Sequence, residues 1–119
     1  MKKREGDAWK PAPAYSKDLG GLTVNLLVQD MTRATEFARD VLGATVVYED
    51  PDFAALEGFG SRWCLHADHT YDNHPLSGSL ADTQVRGIGA ELRLMGCDPD
   101  AAETRARQNG YTVLAGSLD

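Results

Sequence analysis

Along residues 22–47 the spacing of apolar positions changes twice. Val24, Leu26 and Val28 alternate with Thr23, Asn25, Leu27 and Gln29, the two-residue period of a strand with one greasy and one mixed face. From Met31 the apolar residues fall at steps of three and four, through Ala34, Phe37, Ala38, Val41 and Leu42, which predicts an amphipathic helix. Asp30 suits the helix N-cap and Gly43 the left-handed residue that closes it. Residues 44–49 then read as a β-branched strand, Asp50-Pro51-Asp52 as a turn, residues 53–57 as a strand, and Gly58-Phe59-Gly60 as a second turn. A fourth strand over residues 61–67 sets Trp63 and Leu65 on one face, Cys64 and His66 on the other. The stretch from 68 to 86 is polar, broken by Pro75 and Gly78, and longer than an ordinary connection, so it reads as a functional loop or a linker.

The same plan returns after Gly87. Ala90, Leu92 and Leu94 alternate with Glu91, Arg93 and Met95; Asp98-Pro99-Asp100 starts a helix, Gly110 ends it, and residues 111–115 begin another strand. Laying Asp98 on Asp30 brings Gly110 onto Gly43 to within about one residue, and pairs Thr23 with Glu91 and Asn25 with Arg93. The chain therefore divides into an arm (1–21) and a domain (22–119), itself made of a first module (22–71), a connecting loop (72–86) and a second module (87–119). The arm contains Pro11, Pro13 and Gly20-Gly21 and shows neither period. Its Trp9 and Tyr15 either pin it to the domain or a second subunit, or it is a flexible tail.

Composition narrows the partners. With 119 residues and 42% hydrophobic content there is one core's worth of chain. A net charge of −6 repels nucleic acid and anionic membrane surfaces, leaving a cationic or neutral small molecule. No apolar run approaches the roughly 18 residues of a membrane span, and the MKKR start lacks a signal-peptide core, so a cytoplasmic protein is expected. The two cysteines have no metal or disulfide spacing and read as reduced, packed thiols.

The stretches LLVQDMTRATEFARDVLGATVV, EDPDFAALEGFG and GAELRLMGCDPDAAETRARQNGYTVLAG resemble the vicinal oxygen chelate superfamily, which includes glyoxalase I, extradiol dioxygenases and bleomycin-resistance proteins. The resemblance implies an α+β fold of paired βαβββ modules curled around a cleft, here with the second module lacking its last two strands. An edge left unpaired in that way invites a partner, so a homodimer is expected. It also implies a divalent metal, zinc, nickel, iron or manganese, and puts its ligand positions at Thr23, His66 and Glu91. Thr23 is a departure, because a neutral hydroxyl is a poor ligand for a divalent metal.

Among the residues themselves, His66, His69 and His74 crowd into HADHTYDNH with Asp68 and Asp72. The cluster suits a metal or a proton transfer at His66, or is a strand-end histidine followed by a solvated loop. Glu91 on a mixed strand face is either a metal ligand and catalytic base or half of an ion pair with Arg93. Thr23, Asn25 and Arg93 complete the candidate set as substrate contacts. Two functions follow from the resemblance: a metal-dependent lyase, isomerase or dioxygenase acting on a small oxygenated substrate, or a non-enzymatic protein that sequesters a ligand as bleomycin-resistance proteins do.

Overall fold

In the computed structural model, which describes residues 1–82 and 86–117, the domain grows from one βαβββ unit. Strand β1 (Val24–Val28) runs into helix α2 (Met31–Glu36), which follows the arm's own short helix α1 (Ala12–Asp18) in the chain. Asp30 caps α2 as its position demands, its carboxylate accepting the amide of Arg33 at 3.0 Å. A wider, π-type turn over Phe37–Leu42 continues the helix until Gly43, at φ 79°, reverses the chain. Strands β2 (Thr45–Glu49), β3 (Phe53–Gly58) and β4 (Ser61–Ala67) follow, giving a four-stranded sheet of order β1-β4-β3-β2. Only the β1–β4 pair is parallel, so the fold is α+β.

Alternation works as the sequence dictates. Leu56, Leu65 and Ala54 face α2 and form the core with Met31, Ala38, Ala44 and Ala67, while Val28, Val46 and Trp63 pack at its margin. Thr35 is buried among them; its hydroxyl donates to the carbonyls of Met31 and Thr32 (3.1 and 3.0 Å) and so enters an apolar site without an unmet hydrogen bond. The opposite face carries Asn25, Phe53, Cys64 and His66, brought into register by the β1–β4 and β3–β4 ladders.

The second half departs from the expected repeat. Its helix, α4 (Pro99–Gln108), forms with Asp98 as N-cap, but residues 90–95 and 111–115 are not strands. A strand needs a ladder for its amides and carbonyls, and residues 90–95 pair with no strand among the described residues; Leu92 is 62% and Met95 75% exposed. Instead α4 docks on the first module's helix. Arg105 donates through Nε to the Val41 carbonyl at 2.9 Å, and Tyr111 meets the edge of Phe37 at 5.0 Å.

Between the modules, the 3₁₀ turn Asp68–Tyr71 and helix α3 (Ser77–Asp82) give the long connection some structure. Arg86 clamps it through two bonds to the Asp68 carboxylate and one to the Leu27 carbonyl.

Candidate functional site

The arm does not trail away. It crosses the mixed face of the sheet and roofs a cavity of about 630 Å³, within the range of small-molecule sites. Despite its prolines α1 forms there, because Pro13 sits in the first turn, where a missing amide costs nothing. Tyr15 from α1 then meets the edge of Phe53 at 5.5 Å, and Trp9 stacks on Tyr48 at 5.0 Å with the rings 6° from parallel.

Tyr48 reaches this face through a bulge. The β2–β3 register slips between Val46 and Tyr48, so Val46 faces the core while Tyr48 pairs with Ala55 on the cavity side. Its hydroxyl donates to Asp50 at 2.6 Å, and that bond pushes the phenol's pKa up. The other Asp50 oxygen accepts the amides of Asp52 and Phe53, closing the turn.

The arm is tied down at Asp52, a carboxylate only 2% exposed. It accepts the backbone amides of Lys3 (2.7 Å) and Arg4 (3.1 Å) and a bond with His69 Nε2 at 2.6 Å. Burial alone would raise the pKa of this carboxyl, but the His69 bond and the two amides outweigh it and hold the group at about 2.

The cavity floor is a polar relay. Asn25 Oδ1 accepts from His66 Nδ1 at 2.5 Å and from the Cys64 thiol at 3.4 Å, while its Nδ2 donates to the Tyr71 hydroxyl at 3.1 Å. A carbonyl oxygen can only accept, so His66 holds its proton on Nδ1 and keeps a lone pair on Nε2. Burial lowers the His66 pKa, partly opposed by Asp50, and favours the neutral ring. Burial likewise raises that of Cys64, keeping it a thiol.

Of the residues singled out in sequence, Thr23, Asn25 and His66 line this one cavity. Thr23 spends its hydroxyl on the Arg62 carbonyl at 3.1 Å. Glu91 and Arg93 do not join them: they pair with each other, with side chains 72% and 76% exposed. Arg93 borders a separate groove along β1 that Thr23 shares. Histidines 69 and 74 also part company with His66, one binding Asp52 and the other the Leu76 amide.

The donor set does not fit the expected divalent metal. His66 offers one nitrogen and Cys64 one sulfur, their neighbours are an amide and a hydroxyl, and no three His, Cys, Asp or Glu side chains converge among the described residues. Sequence reasoning offered Trp9 and Tyr15 as pins of the arm but not as walls of a ligand site, and it missed Tyr48 and Phe53 there. Trp9 and Tyr15 carried a signal as aromatics in an otherwise polar arm; Tyr48 carried none, since an unbroken strand would turn it inward.

No family model and no curated protein matches this chain. It is similar to two solved structures. One is a glyoxalase/bleomycin resistance protein/dioxygenase family enzyme from Burkholderia phytofirmans PsJN (22% identity, TM-score 0.43, 53% of this chain and 50% of that one). The other is a glyoxalase/bleomycin resistance protein/dioxygenase from Nocardioides (20% identity, TM-score 0.49, 90% of this chain and 76% of that one). The chain thus spans about half the length of the first. No helix of the described residues is long and apolar enough to cross a membrane.

Proposed function

We propose that this chain is a small-molecule binding protein of the sequestering, bleomycin-resistance type, holding its ligand between the N-terminal arm and the sheet. One observation carries the reading: the cavity of about 630 Å³ has aromatic walls supplied by both arm and sheet, over a hydrogen-bonded floor of Asn25, His66 and Tyr71. Such a site supplies stacking area and a few fixed polar contacts, which is what ligand capture needs.

The test is a thermal-shift screen with neutral and cationic metabolites, with and without zinc, nickel, iron or manganese. Stabilisation by an organic compound alone, lost in Trp9→Ala, is the expected outcome. A strict metal requirement would overturn it in favour of a second reading, a glyoxalase-like lyase, isomerase or dioxygenase. That alternative is supported by His66, whose neutral ring keeps a nitrogen free to take a proton from a substrate.

A further inference from the structure

The sign of the ligand's charge can be argued from what the cavity's own charges already do. Asp50 spends one oxygen on the Tyr48 hydroxyl and the other on two backbone amides. Asp52 is occupied at both oxygens by Lys3, Arg4 and His69. On the cationic side, the Arg4 guanidinium lies 4.0 Å from Asp52, and Lys10 lies over the Trp9 ring with its ammonium 3.5 Å from Asp18. The Met1 ammonium pairs with Asp72 at 2.6 Å, and both stand with Lys2 at the exposed rim. Among the described residues no carboxylate oxygen inside the rim is left without a hydrogen-bond donor, and the cations stand paired or at the rim. A charge moved there from water therefore loses hydration without a direct ionic contact; Asp50, bonded only to neutral donors, keeps its negative charge and favours a cation over an anion.

On the cavity floor, Tyr71 and His66 each keep one hydrogen-bonding capacity uncommitted, a donor and an acceptor. Tyr71 already accepts from Asn25, so its own O–H is available to donate; His66 Nε2 is available to accept. The two rings are 5.9 Å apart, and Phe53 lies 5.0 Å from His66 on the other side. A ligand edge with a carbonyl beside an N–H or O–H answers both groups, and a flat ring behind that edge answers the aromatic walls.

We infer that the cleft selects uncharged, planar aromatic or heteroaromatic compounds bearing a carboxamide, lactam or similar donor-acceptor edge, read by Tyr71 and His66. This rests on the cleft being the binding site, as proposed above, and of the cationic and neutral ligands that the chain's acidic composition leaves open it takes the neutral.

Three probes of nearly one shape separate the possibilities at pH 7.5: 2-naphthamide (neutral), 2-naphthamidine (cationic) and 2-naphthoate (anionic). Each is titrated into the full chain and followed by amide NMR shifts, which also report that the variants remain folded. The carboxamide is expected to bind at least about tenfold more tightly than either ion, about the worth of one well-placed hydrogen bond. Tyr71→Phe and His66→Phe should each erase most of that preference, whereas Trp9→Ala should weaken all three probes. Equal or tighter binding of either ion, or a preference untouched by Tyr71→Phe and His66→Phe, overturns the inference while leaving the cleft in place. Binding of no probe, or binding indifferent to Trp9→Ala, overturns the cleft reading and the inference together.

Discussion

Asp52 shows how one carboxylate decides whether the site has a roof. It is buried, and its bonds reach the two amides of Lys3 and Arg4 some fifty residues away in sequence. Asn in its place keeps the shape but loses an acceptor and the charge, leaving one amide facing a donor. Asp52→Asn is therefore expected to cost about 1–3 kcal/mol in urea unfolding and to weaken ligand binding by loosening the arm. The pH dependence has a fixed sign. The folded pKa of about 2 lies below the ordinary 3.8, so this stabilisation is complete above pH ~4 and fades as pH falls toward 2. Subtracting the Asp52→Asn unfolding curve from the wild-type curve isolates it; a difference that stays constant across that window overturns the assignment. Nothing in Asp50-Pro51-Asp52 announces the anchor, because local sequence accounts fully for the three as a turn and the partners are distant. His66 was legible, since strand alternation alone puts it opposite Trp63 and Leu65.

Elements were legible where local signals agree and tertiary partners exist. Helix α2 has its N-cap, its apolar stripe and its glycine stop in sequence, and each recurs in the structure at Asp30, at Met31, Ala38 and Val41, and at Gly43. Residues 90–95 have as clean an alternation as β1, yet form no strand, because alternation specifies a face and not a neighbour. The β2 bulge escaped for a related reason: one extra residue changes the phase of every side chain beyond it. If the caps define this helix, Asp30→Ala should lower stability by about 1 kcal/mol. Gly43→Ala should cost about as much through backbone strain at φ 79°, since the nearest atom to an added Cβ is 3.9 Å away and space is not at issue. Thermal unfolding of both single variants and the double checks this. Near-additive losses would also show whether the two ends act independently.

Across the molecule, both outer strands of the sheet, β1 and β2, lack a partner strand among the described residues. Strand β1 is an edge, and beside it runs a groove of about 680 Å³ whose walls include Leu22, Leu26, Trp63, Leu92 and Leu94. Leu22 is 97% exposed. Arg86 occupies the Leu27 carbonyl, but an edge strand with aliphatic side chains is still a template for pairing, and a second copy of the chain presents the same edge, which suits a two-fold interface. A homodimer through β1 is therefore expected, with light scattering giving about twice the 12.9 kDa chain mass at micromolar concentration. Leu22→Lys discriminates cleanly, because that side chain is so exposed that folding does not depend on it, while an ammonium in the seam would repel its mate across the two-fold axis. The variant should run as a folded monomer with an unchanged circular dichroism spectrum. Leu19 and Thr23 border both the groove and the ligand cavity, but Leu22 lines only the groove, so the monomer should also keep its affinity for the carboxamide probe; a wild-type monomer, or a Leu22→Lys dimer, would mean that the edge is not where copies meet.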